Sequence, residues 1–542
     1  MSSKKKQLRS EAAKAEKQLR RYTLTFWVVI AVVLAIFVGA VAMNPVKNMI
    51  YKNSDAIQVG NHTVSAVEAN YFYMDAVNNY TSQYGDYLEY ILDTSKPLNE
   101  QVSNDETGET WADGFFNNAK DTMKRAYALY DEAMANNFKL SEADQKSIDT
   151  MMNTLEIYAP LYGYKNVDSY LRAVYGPGST AKSYLNYYTL CATADAYVLE
   201  HSDSLKYEAS DLREFEAGSA FKYNSYTYAS YFVTSASFYQ GGTKDEKGNV
   251  TYSAEEKKAG AAAAEKVANG LAETKYATVA DFDAAIKALE INKDKTDVAS
   301  VKYDEVLYKA VNSTFRDWIA GKVEPAKEGD EPTYVDRKEG DITVVASKSG
   351  TGDNEIINGY YVVRFESISD NVFALKNVRH LLISFEGGKT DENTGITTYT
   401  DEEKAAAQSK AAALLTEWES GAKTEDSFAE LAKEHSTDPG SKSNGGLYED
   451  IYPGQMVEPF DAWCFDANRQ VGDTGLVETD YGFHVMFFVG DSETNYRDYM
   501  VTNDLRSSDM DQWTSSLVEK VELNVLSDKY IRLDYVLGGH DH

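Results

Sequence analysis

The sequence predicts an α+β protein made of an N-terminal transmembrane helix, a helical lobe, two related α+β modules and a C-terminal helix. Three observations predict this fold class: an uncharged apolar run near the N-terminus, a long tyrosine-rich stretch with helical periodicity, and an internal repeat in the second half of the chain. The 542 residues are enough for three or four domains, at roughly 150 residues each.

The first element is a membrane anchor. Residues 1–21 form a basic tail with eight Lys and Arg side chains and two acidic ones, and residues 22–43 contain no charged side chain. A helix over residues 22–43 is expected to be about 33 Å long, and the hydrocarbon core of a bilayer is about 30 Å thick. Because basic flanks stay in the cytoplasm, residues 44–542 are expected on the outer side of the cell membrane.

A long signal peptide is the alternative to an uncleaved anchor. Ala40-Val41-Ala42 is typical of a cleavage site with small residues, so cleavage after Ala42 stays open. The apolar run is much longer than the usual 7–15 residues of a signal peptide, which favours an anchor that is retained. No cysteine follows this run directly, so the sequence predicts no lipoprotein anchor.

The outer part begins with the predicted helical lobe, residues 55–217. Residues 55–65 have the pattern of a short hairpin with Gly60-Asn61 at its turn. From Ala66 to about Ser204 the pattern is helical and rich in tyrosine. No catalytic motif is found in this lobe, and tyrosine-rich surfaces suit the binding of other polypeptides as well as an ordinary core.

The tail, residues 491–542, is predicted to return to helix and to pack on the helical lobe. A helix is expected from Asp509 to Val521, followed by an apolar, strand-like stretch from Tyr530 to Leu537. His540-Asp541-His542 is interpreted as a solvated chain end rather than a metal site. The sequence therefore predicts no metal and no cofactor.

Composition excludes several classes of protein. The chain has 54 Lys and Arg against 85 Asp and Glu, a net charge of -31, so nucleic acid is not an expected partner. Cys191 and Cys464 are its only cysteines, which excludes a disulfide scaffold, a cysteine-rich zinc module and an iron–sulfur cluster. Both are expected to be free thiols.

The second half of the chain repeats itself. Five short patterns recur in the same order, including Gly241-Gly242 as Gly387-Gly388 and Phe315-Arg316-Asp317-Trp318 as Phe460-Asp461-Ala462-Trp463. Five matches in one order are not expected by chance. The sequence therefore predicts two copies of one α+β module, at residues 218–370 and 371–490.

The second copy carries four segments that the first lacks. They are an apolar strand interrupted by Arg and His (Val378–Ile383), a turn-rich loop after a helix (Asp438–Gly446), a Gly-Gln-Met segment (Gly454–Phe460) and a second strand start (Thr479–Val485). Together they resemble the parvulin domain, the PpiC or rotamase type of peptidyl-prolyl isomerase. The whole layout is similar to the SurA and PrsA group of extracytoplasmic foldases, with a SurA-like helical lobe beside parvulin modules.

The resemblance implies a site and a reaction. It places His380, Asp438, Thr479 and His484 in a hydrogen-bonded catalytic cluster. Met456 and Phe460 are implied as the apolar shelf that binds the proline ring. Rotation about an X–Pro bond must overcome a barrier of roughly 18–20 kcal/mol, but it makes and breaks no covalent bond, so neither a nucleophile nor a cofactor is required.

Structural roles are the alternatives for these residues. Met456 and Phe460, four residues apart, fit an ordinary core, and a buried His380–His484 pair can hold a fold without catalysing anything. One departure from the family also bears on activity. The usual G-G-D-L-G loop is Gly445-Gly446-Leu447-Tyr448-Glu449 here, which changes the rim of the implied pocket.

The first module departs further and is predicted to be degenerate. When the two copies are aligned on their strands, Ser230 stands at the position of His380 and Tyr361 at the position of His484. No counterpart of the Asp438 loop is found. We expect this module to keep the scaffold without the site, and to bind clients or to act as a spacer.

The sequence therefore predicts a membrane-anchored peptidyl-prolyl cis/trans isomerase that acts on unfolded or proline-containing exported polypeptides. The alternative is a holdase chaperone that binds unfolded clients with little or no isomerase activity. The identity of the clients, the preferred residue before proline and the oligomeric state stay open.

Overall fold

The computed structural model describes residues 45–323, 332–352, 355–391 and 394–538. The predicted membrane span, residues 22–43, lies outside this range. Among the described residues, no helix has both the length and the apolar character needed to cross a membrane. The chain divides into two compact units, one formed by Met1–Lys206 with Arg506–His542 and the other by Tyr207–Leu505.

The first unit is mainly helical. The predicted hairpin is confirmed as strands Asp55–Val59 and His62–Ser65, and a third strand, Leu523–Val525, pairs with the first of them. The helices predicted after Ala66 are also confirmed. They are Ala66–Tyr84, Trp111–Ala135, Glu142–Leu161, Val167–Tyr175 and Ala181–Ser204, with short 3₁₀ turns at Gly85–Tyr90 and Leu98–Glu100 and a two-strand ribbon of Val102–Asn104 and Glu109–Thr110.

The strand-like prediction for Tyr530–Leu537 is wrong. This stretch contains no strand, and a buried side chain takes the place of a strand partner. Asn70 donates from Nδ2 to the Tyr530 carbonyl at 2.8 Å, and its Oδ1 accepts from the Arg532 backbone N–H at 2.9 Å. Arg532 in turn donates to the carbonyl of Val174 at 2.6 Å. The apolar stretch is therefore fixed through side chains that lie far away in the sequence.

The second unit contains two four-stranded antiparallel sheets, each with its own helices. The first sheet has the order Ile342–Ser349, Ile356–Ser369, Ser225–Thr234, Val301–Leu307, with helices Ala254–Ala272, Val279–Lys287 and Arg316–Ile319. The second has the order Thr474–Thr479, Gly482–Asn495, Ala374–Ser384, Leu447–Ile451, with helices Asp401–Ser420, Glu425–His435 and Glu458–Cys464. Helix Ala209–Glu216 precedes the first sheet, and helix Tyr496–Glu519 follows the second.

The two sheets repeat one another in strand order and in register. In the first sheet, Ser230 pairs with Val363 and Phe232 pairs with Tyr361. In the second, His380 pairs with Met486 and Leu382 pairs with His484. The two ladders therefore align with Ser230 at the position of His380 and Tyr361 at the position of His484, as the sequence repeat predicts.

The glycine pairs of the repeat contact the first turns of helices Ala254–Ala272 and Asp401–Ser420 in the same way. Gly242 donates its backbone N–H to Glu256 at 2.9 Å, and Gly388 donates to Glu403 at 2.9 Å. Each glutamate also belongs to the capping box of its helix, so it accepts from the glycine and from the N-cap residue, two backbone donors that precede the helix. The recurring pattern in the sequence is therefore a recurring cap.

Candidate active site

Strand alternation brings the two predicted histidines to one face of the second sheet. In strands Ala374–Ser384 and Gly482–Asn495 the odd-numbered residues, such as Leu381 and Val485, face one side of the sheet. They pack against helices Asp401–Ser420 and Glu425–His435. The even-numbered residues, such as Val378 and Met486, face the short helix Glu458–Cys464. Because side chains alternate with a period of two, His380 and His484 lie on the short-helix face.

The two imidazole rings are in direct contact. His380 Nδ1 lies 3.0 Å from His484 Nδ1, and the ring centroids are 5.2 Å apart at an angle of 29°. On its other side, His484 Nε2 lies 2.8 Å from Thr479 Oγ1. His380, His484 and Thr479 are 3%, 5% and 7% exposed, so this chain of hydrogen bonds runs through the interior.

Asp438, which lies in a loop, extends the same series of hydrogen bonds. It follows helix Glu425–His435, and backbone contacts with the central strand hold it in place: Thr437 N–H donates to the Leu382 carbonyl at 2.8 Å. Ser436 Oγ accepts from the backbone N–H groups of Leu382 at 3.1 Å and Asp438 at 3.2 Å. These contacts bring Asp438 Oδ2 to 3.0 Å from His380 Nε2.

The Asp438 carboxylate determines which atom donates in each of these hydrogen bonds. An ionised Asp438 can only accept, so His380 Nε2 carries the proton that it shares with Asp438. With both rings neutral, His380 Nδ1 then accepts from His484 Nδ1–H, and His484 Nε2 accepts from the Thr479 hydroxyl. One set of tautomers satisfies every member of the chain, from Thr479 to Asp438.

The electrostatics agree with this assignment. The hydrogen bond from His380, helped by Ser441, holds the pKa of Asp438 well below its usual range against the opposing effect of burial. Burial, and next the neighbouring His380, lower the pKa of His484 to about 3. At neutral pH the site therefore contains an ionised carboxylate and a neutral His484 ring.

Met456 and Phe460 lie beside the imidazole pair. The Phe460 ring is 3% exposed, and it stands nearly perpendicular to both imidazoles, 5.4 Å from His380 and 5.3 Å from His484. Met456 is partly buried and packs on the hydrophobic cluster that contains Phe460. An open cavity of about 460 Å³ adjoins Thr479, with Val457, Glu458, Pro459 and Glu478 among its lining residues. The cavity, which is also lined by Lys404 and Asp480, therefore reaches the hydrogen-bonded cluster at Thr479.

Two members of the cluster were missed by the sequence reasoning. Ser441 donates its hydroxyl to Asp438 and lies 2.9 Å from His380 Nε2. Tyr448 donates its hydroxyl to Asp438 Oδ2 at 3.2 Å, and its ring stacks on His380 at 5.2 Å and 26°. The signal for Ser441 was its position three residues after an aspartate in a turn. For Tyr448 it was the departure already seen in the loop Gly445–Glu449.

The altered loop keeps a backbone conformation that requires glycine at position 446. Residues Leu447–Ile451 form the edge strand, in which Tyr448 pairs with Val378. Gly446 has a φ of 75°, and a Cβ there would lie 2.0 Å from the His380 carbonyl oxygen. Only glycine allows this close approach. The loop therefore differs from the family pattern in its last three residues, while the pair Gly445-Gly446 is retained.

The equivalent position in the first module holds different chemistry. Ser230 is 5% exposed at the position of His380, and Phe315, which aligns with Phe460, packs against Tyr361 at 5.3 Å. The ring of Tyr361 also contacts Phe232 at 4.7 Å. An aromatic cluster therefore replaces the imidazole pair.

Metal binding has no support among the described residues. They contain no group of three or more His, Cys, Asp or Glu side chains that could hold a metal ion. Cys464 is fully buried, and burial raises the pKa of its thiol to about 12, so it is a core residue rather than a nucleophile. Cys191 and Cys464 are both free thiols, as predicted.

Parts of the chain are similar to known proteins. Residues 360–490 match the family described as PPIC-type PPIASE domain. Foldase protein PrsA 1 of Listeria monocytogenes is 24% identical over 219 residues, which cover 37% of this chain and 68% of that protein. Chaperone SurA of Methylococcus capsulatus is 30% identical over 153 residues, which cover 27% of this chain and 29% of that protein. The crystal structure of PrsA from Bacillus subtilis aligns at 15% identity with a TM-score of 0.24, covering 77% of this chain and 90% of that one.

The fold and the match define the class of the second module, which is a PpiC-type parvulin domain. The chain that carries it is similar to PrsA and SurA proteins, so the resemblance predicted from the sequence is confirmed. The chain spans 68% of the length of the PrsA relative and 29% of the SurA relative.

Proposed function

We propose that this protein is a peptidyl-prolyl cis/trans isomerase that assists the folding of exported polypeptides. The observation that carries the proposal is the buried chain of hydrogen bonds from Thr479 through His484 and His380 to Asp438, next to the apolar wall of Phe460. The PpiC-type match over residues 360–490 supports the same reaction.

The reaction needs a pocket that favours a twisted amide. The planar X–Pro amide is the more polar form because of its resonance, so an apolar, water-poor environment disfavours it relative to the twisted form. Phe460 and Met456 supply an apolar surface for the proline ring. Thr479 borders the cavity in which the amide turns, and His484 holds the Thr479 hydroxyl in a fixed position that needs no reorganisation during the reaction.

Asp438 and His380 act by positioning. The Asp438 carboxylate fixes the tautomer and the orientation of His380, and His380 in turn orients His484. Ser441 and Tyr448 hold Asp438. In this account Asp438 needs no contact with the substrate, because its charge acts through the imidazole pair.

We also propose that the activity is located on the outer side of the cell membrane. The basic residues 1–21 followed by the uncharged residues 22–43 support a single-pass anchor with a cytoplasmic N-terminus. The PrsA and SurA relatives, described as a foldase and a chaperone, support unfolded exported polypeptides as clients. The first module is proposed to contribute binding rather than catalysis, since an aromatic cluster occupies its equivalent site.

Proline-limited refolding of a model protein tests the proposed reaction. The full-length chain in detergent micelles, added in catalytic amounts, is expected to accelerate the slow refolding phase. A His380→Ala/Asp438→Ala double variant with an unchanged circular dichroism spectrum is expected to lose that acceleration. If wild type and variant both leave the refolding rate unchanged while suppressing aggregation, the protein is a holdase and the isomerase proposal is wrong.

A further inference from the structure

A cavity of about 360 Å³ lies in the first module, away from the imidazole site. Its floor is made of buried apolar side chains: Tyr226 and Ile319 are each 1% exposed, and Phe365 is 3% exposed. A volume of this size is at the lower end of the range for ligand sites, which is about 300–1,000 Å³. It suits one large side chain.

The mouth of the cavity is apolar and accessible. Tyr334, Val335 and Ile368 are 42%, 48% and 53% exposed, and they come from two different segments of the chain. Phe221 stacks on Tyr334 at 4.4 Å and 20°, so the wall includes a parallel pair of aromatic rings. Exposed apolar side chains around a preformed cavity are typical of a binding site.

An insertion builds this mouth. In the first module Arg337 lies over the Trp318 ring at 4.4 Å and donates from Nε to the Trp318 carbonyl at 2.8 Å. In the second, Arg469 lies over Trp463 at 3.9 Å and donates to its carbonyl at 3.1 Å. The two pairs are equivalent, but Arg337 follows its tryptophan by 19 residues and Arg469 by 6.

The additional residues of the first module include a pair of short strands, Lys322–Val323 and Thr333–Tyr334. The backbone N–H of Val335 also donates to the Gly321 carbonyl at 2.9 Å. These contacts fix Tyr334 and Val335 at the mouth. The cavity therefore depends on a segment that the second module lacks.

The insertion also leaves Arg337 with weaker acidic contacts than its counterpart Arg469. Arg469 lies 3.7 Å from Asp466 and 3.8 Å from Asp473. Arg337 lines the cavity next to Asp336, and Asp341, the counterpart of Asp473, still acts on it electrostatically. Among the described residues, however, no carboxylate lies within 4.0 Å of the Arg337 guanidinium group. Its Nε is used by Trp318, so Nη1 and Nη2 stay available to an anion. A guanidinium group binds a carboxylate through two such donors.

We infer that this cavity is a second polypeptide site, which binds an aromatic or branched apolar side chain with an acidic residue beside it. The apolar side chain enters the aromatic cavity, and the neighbouring carboxylate binds Arg337. The apolar side chains at the mouth come from two segments of the first module. They contact the peptide residues before and after the one in the cavity, so the site accepts an internal segment of a polypeptide. The inference that the bound polypeptide is a folding client rests on the proposed function, but the cavity is separate from the imidazole cluster.

Fluorescence anisotropy with labelled peptides tests this inference. The probes are proline-free, N-acetylated and C-amidated peptides that contain one Phe next to Asp, or the same Phe next to Asn. The full-length chain is expected to bind the Asp peptide about tenfold more tightly than the Asn peptide, which corresponds to about 1.4 kcal/mol. Arg337→Met and Val335→Asp are each expected to weaken binding of the Asp peptide about tenfold.

Two controls make the outcomes distinct. Arg469→Met removes the equivalent Arg–Trp pair of the second module and is expected to bind the Asp peptide like wild type. Equal binding of the Asp and Asn peptides, or unchanged binding by both first-module variants, would overturn the inference. Isomerase activity, measured separately on a short prolyl peptide, is expected to be unchanged in Arg337→Met. A protein without isomerase activity that still binds the Asp peptide refutes the proposed function alone.

Discussion

His380 and His484 meet at Nδ1 atoms 3.0 Å apart although they do not face each other across the ladder. His380 pairs with Met486 and His484 pairs with Leu382, so the two imidazoles occupy a diagonal of neighbouring strands. Long side chains reach across such a diagonal. A slip of one residue in this register would turn one imidazole to the opposite face, so the site depends on the pairing of Ala374–Ser384 with Gly482–Asn495.

Tyr448→Phe tests whether the altered loop supports the site. The substitution removes the hydroxyl that donates to Asp438 at 3.2 Å and keeps the ring that stacks on His380. We expect kcat/KM on a prolyl tetrapeptide to fall about fivefold, consistent with about 1 kcal/mol for one hydrogen bond. Tyr481→Phe, at a tyrosine that is 63% exposed, is the matched control and is expected to keep the wild-type rate. A wild-type rate in Tyr448→Phe would show that this hydroxyl does not support the reaction.

The protonation of His484 gives a pH prediction. Burial and His380 lower its pKa to about 3, whereas the unfolded chain takes up this proton near the ordinary value of 6.5. Between these values the unfolded state binds more protons, so the free energy of unfolding decreases as pH falls from about 6.5 toward 3. Asp438 acts in the same direction, since a carboxylate with a lowered pKa stabilises the fold above its ordinary value and loses this effect as pH falls.

Nuclear magnetic resonance of ¹⁵N-labelled imidazoles measures the protonation of His484 directly. The His484 signals, assigned by their loss in His484→Gln, are expected to stay those of a neutral ring between pH 8 and pH 5. Nε2 is expected to have the shift of an unprotonated acceptor and Nδ1 that of a donor. A titration centred near 6.5 would contradict the lowered pKa of His484, and exchanged Nδ1 and Nε2 shifts would contradict the assigned tautomer.

Met456→Ala tests the apolar wall. Met456 is only partly buried, so we expect a small effect on stability and a larger one on substrate binding. The loss of apolar contacts with the proline ring is expected to raise KM about tenfold, with kcat within about twofold, since about 0.8 kcal/mol is lost for each methylene group. Val471→Ala, at a residue that is 73% exposed, is the control. If Met456→Ala has the wild-type KM, Met456 is a core residue without a part in binding.

Asn70→Ala tests how the C-terminal stretch is held. Asn70 is 1% exposed and bonds both the Tyr530 carbonyl and the Arg532 N–H, so its loss leaves these groups unpaired. We expect the first unit to lose about 2–3 kcal/mol of stability, and proteolysis near residue 530 to become faster. Asn79→Ala, at an exposed position of the same helix, is expected to change neither. Equal proteolysis of the two variants would mean that Asn70 is not the anchor.

The sequence predicted the parts of the molecule that follow a local period. The apolar strand around His380 was predicted at residues 378–383 and is observed at Ala374–Ser384, and the repeat placed Ser230 and Tyr361 in the observed register. The six predicted site residues lie together in the second module. These results depend on side-chain alternation and on motif order, which a single sequence contains.

Contacts between distant residues could not be predicted. Tyr448 reaches Asp438 only because the edge strand turns its side chain toward the short-helix face, and no periodicity shows that. The stretch from Tyr530 to Leu537 has the apolar pattern of a strand, but its partner is the side chain of Asn70, 460 residues away from Tyr530. The cavity beside Arg337 likewise depends on where an insertion folds back.

The most direct test of the imidazole site is cis/trans exchange of a prolyl tetrapeptide, measured by nuclear magnetic resonance with wild type, Asp438→Asn and Ser230→Ala. Asp438→Asn removes the charge that orients His380, and Ser230→Ala changes the equivalent position of the first module. We predict that Asp438→Asn, shown by circular dichroism to be folded at the assay temperature, lowers kcat/KM about 10²-fold, and that Ser230→Ala keeps the wild-type value. Equal rates for wild type and Asp438→Asn would contradict the account, and the cluster would then serve the fold alone.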